Sequence, residues 1–168
     1  TSDEHEWFEQ AKKSKDNPYH DYYIWRDATD GGNTPPNNWI SLFEGPAWNY
    51  YENLDQWAMH LFSKKQMDLN WENEKVRQEV YDMMNWWLDK GIDGFRMDVI
   101  NFISKTPGLP EANSFLGMLT GFKGAEYYFY GPKLHDYLHE MREKTFGNYD
   151  VYTVGECGGA GIEMDKML

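Results

Sequence analysis

The stretch from Gly94 to Val99, Gly-Phe-Arg-Met-Asp-Val, constrains the fold more tightly than any other part of the chain. It follows a strong helix signal that stops at Gly91, and Ile92 to Val99 is short and largely apolar, which predicts a buried strand of a parallel sheet. Side chains alternate along a strand, so Arg96 and Asp98 share one face while Phe95 and Met97 share the other. The apolar pair can meet a helix layer; the charged pair needs a polar surrounding. An arginine and a carboxylate about 7 Å apart along one strand face suit a cavity in which a permanent cation keeps the carboxylate ionised. That is a nucleophile's environment, with a structural ion pair at a strand end as the alternative.

Upstream, Val76, Val80, Met83, Met84, Trp87 and Leu88 recur at helical spacing behind Asn70 or Asn73 as a cap, and Gly91 supplies the left-handed stop. Downstream, residues 101–131 contain Pro107, Pro110, Gly117, Gly121 and Gly124 and read as a long connection without regular elements. Pro132 opens a second helix with Leu134, Tyr137, Leu138 and Met141 on one face, ended by Gly147. Val151 to Val154 reads as a second short buried strand running into Gly155 and Glu156. Helix, strand, connection, helix, strand is the α/β pattern of parallel crossover units. In a (β/α) barrel the carboxyl ends of the strands carry the chemistry, and Asp98 and Glu156 both stand at such ends. Two carboxylates converging there, with Arg96 beside one, match glycoside cleavage: one attacks the anomeric carbon and the other, kept protonated, donates to the leaving oxygen. Standing alone, Glu156 would serve equally well as a cap on the next helix.

The first third of the chain is different in kind. Thr1 to Lys15 reads as a short amphipathic helix with a cap among Thr1, Ser2 and Asp3. Residues 17–51 mix Pro and Gly with Tyr22, Tyr23, Trp25, Trp39, Phe43, Trp48 and Tyr50 and read as a small irregular subdomain, with Tyr22 to Trp25 its best strand; Gln56 to Phe62 suits a strand or a short helix. Aromatics make up 17% of the chain, which suits stacking on a flat, hydroxyl-rich ligand such as a sugar, or else a core built from rings instead of aliphatics. A net charge of -12 argues against nucleic acid and anionic membranes as partners. One cysteine, Cys157, excludes an internal disulfide framework and fits a reducing compartment. His135 and His139, one helical turn apart, lack a nearby third ligand, so no metal site is expected and a solvated helix face is the better account.

The chain resembles the α-amylase superfamily, glycoside hydrolase family 13, and within it the oligo-1,6-glucosidases and related α-glucosidases. Three motifs carry the resemblance: Gln66-Met67-Asp68-Leu69-Asn70 with Trp71-Glu72-Asn73; Gly94 to Val99 continuing through Ile100 to Lys105; and Thr153-Val154-Gly155-Glu156. It implies an α/β fold: part of a (β/α)8 TIM barrel, strands four and five with their helices (71–168), plus an irregular inserted domain B with its flanks (1–70). It implies Asp98 as nucleophile, Glu156 as general acid and base, and Arg96 as the residue orienting Asp98 in a retaining reaction. Phe43 and Phe62 would wall the glucose pocket. Val99 stands where the family separates enzymes preferring α-1,6 bonds from maltases, and Gln66 points the same way. No cofactor is implied, and a calcium site elsewhere in the parent stays open.

The family also carries an Asn-His pair before the position of Thr1 and a His-Asp pair after Leu168, neither of them in this chain. The expectation is therefore an internal fragment, inactive alone, prone to self-association, and completed by the remainder of the barrel in a cytoplasmic parent that hydrolyses short isomalto-oligosaccharides. Trehalose-6-phosphate hydrolysis and transglucosylation are the enzymatic alternatives. A non-catalytic sugar-binding or interaction scaffold is the alternative of another class, but such relatives lack the catalytic carboxylates present here. Two departures from the family pattern stand out: Met67 in place of a proline, and Cys157-Gly158 where relatives commonly have Met-Pro.

Overall fold

The computed structural model describes residues 1–43 and 45–158. In chain order the elements are α1 (Glu6–Ala11), β1 (Trp25–Asp27), β2 (Trp48–Tyr51), β3 (Gln56–Met59), α2 (Glu74–Asp89), β4 (Gly94–Met97), α3 (Ser114–Thr120), α4 (Ala125–Tyr128), α5 (Leu134–Lys144) and β5 (Tyr152–Gly155). They group into two compact units, residues 1–76 with 108–126, and residues 77–107 with the chain from 127 on. The end of the expected barrel segment, 159–168, lies outside the described residues.

In the first unit β1, β3 and β2 form an antiparallel sheet with β3 in the middle, Trp25 opposite Ala58 and Tyr50 opposite Trp57. All four residues of β3 are buried, so both faces of that strand are covered. The core is aromatic: Phe8 stacks parallel on Trp25 at 5.8 Å and meets Tyr23 edge-on at 4.8 Å. Trp25, Trp39, Trp48 and Trp57 are all buried, so these four tryptophans fill the interior and offer no stacking surface. Met67 is buried and its N–H donates to the Thr1 carbonyl at 2.8 Å, a bond that a proline there could not make.

Several local expectations shift. The first helix covers only Glu6–Ala11 and is capped by His5, whose Nδ1 accepts from the Trp7 N–H. Tyr22 belongs to a 3-10 turn (His20–Tyr22) and the strand begins at Trp25, because Tyr22 and Tyr23 are both buried, whereas strand alternation would turn one of them outward. The connection over 101–131 contains two helices. Asn113 caps α3 by accepting from the Phe115 and Leu116 N–H groups, and Gly121, left-handed at φ 76°, closes it, so the glycines and prolines flank helices here more than they break them.

The second unit pairs β4 with β5 in parallel, each preceded by a helix, α2 and α5. Asn73 starts α2 by accepting from the Lys75 N–H at 2.9 Å. The two helices are joined by Arg77, which pairs with Glu140 at 2.7 Å and lies over the Tyr137 ring at 5.2 Å, and by Asn85, which donates to the Lys144 carbonyl at 3.0 Å. Burial pushes the Tyr81 hydroxyl well above its ordinary range, with the neighbouring Glu140 charge adding to the shift. Neither strand is buried as expected: β4 is half-buried to exposed and β5 mostly exposed. Each has one hydrogen-bonded strand neighbour among the described residues, which leaves sheet surface open.

The strand pair meets without room for a side chain at Gly94, where an added Cβ would lie 1.6 Å from the Tyr152 carbonyl oxygen at φ 141°. Gly94→Ala should therefore lower the unfolding free energy by more than about 3 kcal/mol. Gly91→Ala, with open space around it at φ 84°, should cost about 1 kcal/mol from left-handed strain alone. Urea unfolding of both variants checks this; an equal or smaller loss at Gly94 would contradict it.

Candidate active site

The register of the parallel pair builds the site. Gly94 pairs with Tyr152 and Met97 with Gly155, so the next residues, Asp98 and Glu156, emerge from the two strand ends side by side. Two further bonds extend the ladder past the strands: the Glu156 N–H donates to the Met97 carbonyl at 2.8 Å, and the Ile100 N–H donates to the Glu156 carbonyl at 3.1 Å. Between them the backbone turns sharply at Val99, left-handed at φ 43° and ψ 42°. For a β-branched residue that conformation costs on the order of 1–3 kcal/mol, so the surrounding bonds must hold it. Gly155 has to be small, because a Cβ there would approach Ile100 Cγ2 to 2.9 Å.

Arg96 lies between the two carboxylates. Nη1 donates to Asp98 Oδ1 at 2.9 Å and Nη2 to Glu156 Oε2 at 2.5 Å, while the three side chains keep 59%, 69% and 50% of their surface exposed, in the order Arg96, Asp98, Glu156. A hydrogen bond with the Glu156 carboxyl, and after it one from Arg96, holds the Asp98 carboxyl below its ordinary range. The arrangement thus sets a carboxylate that favours its ionised form beside a second carboxyl, both bonded by one guanidinium.

Phe43, Phe62 and Gln66 belong to the first unit. Phe43 is exposed, and its ring meets Phe62 edge-on at 5.9 Å. Gln66 Oε1 accepts from the Ser63 N–H at 3.3 Å, in the loop that follows Phe62. Asp68, in the same motif, accepts from the Leu61 N–H at 2.7 Å, and His60 Nδ1 lies 3.3 Å from the Phe62 carbonyl, so the segment carrying Phe62 is tied down at both ends. Burial depresses the His60 pKa and favours its neutral form. Neither tie was legible from spacing, because each joins a side chain to backbone. His135 and His139 are exposed, and among the described residues no three His, Cys, Asp or Glu groups are placed to hold a metal ion. No described helix is long and apolar enough to cross a membrane.

A parallel strand pair with two carboxylates at its carboxyl ends is an arrangement suited to glycoside cleavage, and comparison with known proteins shows the family. The chain belongs to the α-amylase family: the family described as "Alpha amylase, catalytic domain" matches residues 1–166. Its strand pair and helices are accordingly part of a (β/α)8 barrel, accompanied by an irregular inserted domain. It is 55% identical over 167 residues to an oligo-1,6-glucosidase of Halalkalibacterium halodurans, covering 99% of this chain and 29% of that protein. To an oligo-1,6-glucosidase of Bacillus cereus it is 56% identical over 168 residues, again covering 99% of this chain and 29% of the relative. The crystal structure of Bacillus licheniformis trehalose-6-phosphate hydrolase superposes with a TM-score of 0.88 at 45% identity, covering 97% of this chain and 28% of that one. The chain thus spans 29% of the length of the two glucosidases.

The depressed Asp98 value carries a sign. A carboxyl whose folded pKa lies below its ordinary 3.8 favours the folded state above that pH, and the contribution disappears as pH falls through the depressed value. Carbon-13 NMR titration of the Asp98 carboxyl should give a midpoint below 3.8, moving upward in Glu156→Ala and in Arg96→Leu. A wild-type midpoint at or above the ordinary value would contradict this.

Proposed function

We propose that the parent of this chain is a retaining α-glucosidase that removes terminal α-1,6-linked glucose from short isomalto-oligosaccharides. The observation that carries the reading is the Arg96 bridge between Asp98 and Glu156 at adjacent strand ends. In the first step an Asp98 carboxylate oxygen bonds to the anomeric carbon as the glycosidic C–O bond breaks, and Glu156 gives its proton to the departing oxygen. In the second, Glu156 takes a proton from water, whose oxygen bonds to the anomeric carbon and releases Asp98 and glucose. Retaining carboxyl pairs stand about 5 Å apart, and here one guanidinium bonds both groups.

Residues before Gln66 act in this reading as domain B, with Phe43 and Phe62 as apolar walls for the glucose ring and Val99 and Gln66 favouring the α-1,6 bond. A neutral sugar suits a chain with net charge -12. The remainder of the barrel is supplied by the parent, which acts in the cytoplasm. The segment alone is inactive and prone to self-associate through its open strand edges, since two strands cannot close a barrel of eight. The likeness to a trehalose-6-phosphate hydrolase favours that activity as the second reading. It ranks lower because the aromatic subdomain shows no basic cluster for a phosphate in its sequence.

Glucose release by the parent should be faster on isomaltose than on maltose or trehalose-6-phosphate. Asp98→Asn should lower it by at least about 10⁴-fold, as expected when a covalent nucleophile is lost. Activity unchanged in that variant would refute the nucleophile, and a preference for the phosphorylated sugar would overturn the substrate.

A further inference from the structure

Beyond the two carboxylates and their arginine, the second unit contains a side chain whose placement packing does not explain. Asn101 is fully buried between the buried Ile100 and Phe102 in the 3-10 turn that follows Val99. Its Nδ2 donates to the carbonyl of Gly158 at 2.9 Å, and its backbone carbonyl accepts from the Tyr130 N–H at 3.0 Å. Its Oδ1 is buried with no partner among the described residues. A buried amide that leaves an acceptor unmet is a net burden to folding, and an apolar residue of similar volume would carry no such burden.

What the amide does is hold the exit of β5. The strand ladder ends at Gly155, and the three residues after it are tied to the β4 exit by three bonds. Two are backbone bonds on the near side of the segment, at Glu156 itself, and they are available to any sequence. The third lies on its far side, at Gly158, and among the described residues it is made by the Asn101 side chain. Without it the described part of the segment Glu156-Cys157-Gly158 is held at Glu156, through its backbone and Arg96, and its far end can shift the acid. Asn101 stands three residues after the proposed nucleophile and reaches two residues beyond the proposed acid, so one side chain sets the spacing of both.

We propose that Asn101 is a positioning residue that fixes the Glu156 carboxyl for proton donation, a role that rests on the α-glucosidase reading above. The consequence appears in the first step as a dependence on the leaving group, whereas the second step, in which Glu156 takes a proton from water, is common to all substrates. Cleavage of a sugar–sugar bond requires a proton on the departing oxygen, whereas an α-glucoside of an acidic phenol leaves without one.

The test uses the full-length parent with Asn101→Leu and the isosteric Asn101→Asp, the second covering any failure of the first to fold. For each, kcat and KM are measured on isomaltose and on 2,4-dinitrophenyl α-glucoside, and thermal midpoints are recorded. The expected result is a fall of about 10²-fold in kcat/KM on isomaltose, the scale of an ångström-sized misplacement, with the aryl-glucoside kcat/KM, which reports the first step without acid assistance, nearly unchanged. Asn101→Leu should keep or raise the thermal midpoint. Equal losses of kcat/KM on both substrates, or no loss on either, would overturn the proposal. A wild-type parent that cleaves neither substrate, or an Asp98→Asn variant that keeps activity, would instead remove the carboxylate reading and this proposal with it.

Discussion

The arrangement depends on one guanidinium. Arg96 donates to Asp98 through one nitrogen and to Glu156 through the other, so a single planar cation fixes two anionic groups carried by different strands. A lysine ammonium, with rotatable donors on a flexible stem, would fix their orientation less. The Asp98 carboxyl is held below its ordinary range by the hydrogen bond with the Glu156 carboxyl and by the one from Arg96. The mutual position of the two groups follows from the residue between them.

Such a bridge is possible only because the backbone beneath it is forced into register. Gly94 lets β4 approach the Tyr152 carbonyl, and Gly155 leaves room for Ile100, so the strands meet at each end through a missing side chain. Val99 absorbs the strain of the turn that ends β4, and the Ile100 N–H to Glu156 carbonyl bond helps to hold it there. The pattern is one in which stability is given up beside the chemistry and recovered in the helices. Among those compensating contacts, Arg77, Tyr137 and Glu140 join α2 to α5 through a partly buried ion pair and a cation–ring contact.

The sequence was most legible where one period dominates. The helix α2, the Gly91 stop and the alternation through Arg96 and Asp98 each follow from a single geometric rule, and the parallel pairing follows from their order. Within the expected α2 stripe, however, Val76, Met84 and Leu88 are buried while Met83 and Trp87 are exposed, and Tyr81, outside it, is buried. It was least legible where tertiary contacts override local pattern. Tyr22 looks like a strand residue but lies in a turn that lets Tyr22 and Tyr23 both be buried. Gly121 reads as a breaker and is in fact the cap of α3. Burial of the strands was overestimated because an apolar strand sequence records the surroundings of a complete barrel, and β4 here has a single strand neighbour among the described residues. For the candidate site, the structure brings Asp98, Glu156 and Arg96 together as their positions in the sequence suggested, but links such as those of His60, Asp68 and Asn101 join side chains to backbone and leave no periodic trace.

The central claim is that Asp98 forms the covalent bond and Glu156 carries the proton. The most direct measurement is to treat the parent with 5-fluoro-α-glucosyl fluoride, whose slow turnover accumulates the glycosyl-enzyme, and to locate the added mass by peptide mass spectrometry. The account predicts one sugar per chain, esterified to the Asp98 carboxyl, formed in wild type and persisting longer in Glu156→Gln, where the base that activates water is gone. A label on any other residue, or turnover of this reagent with inversion and no label at all, would contradict it.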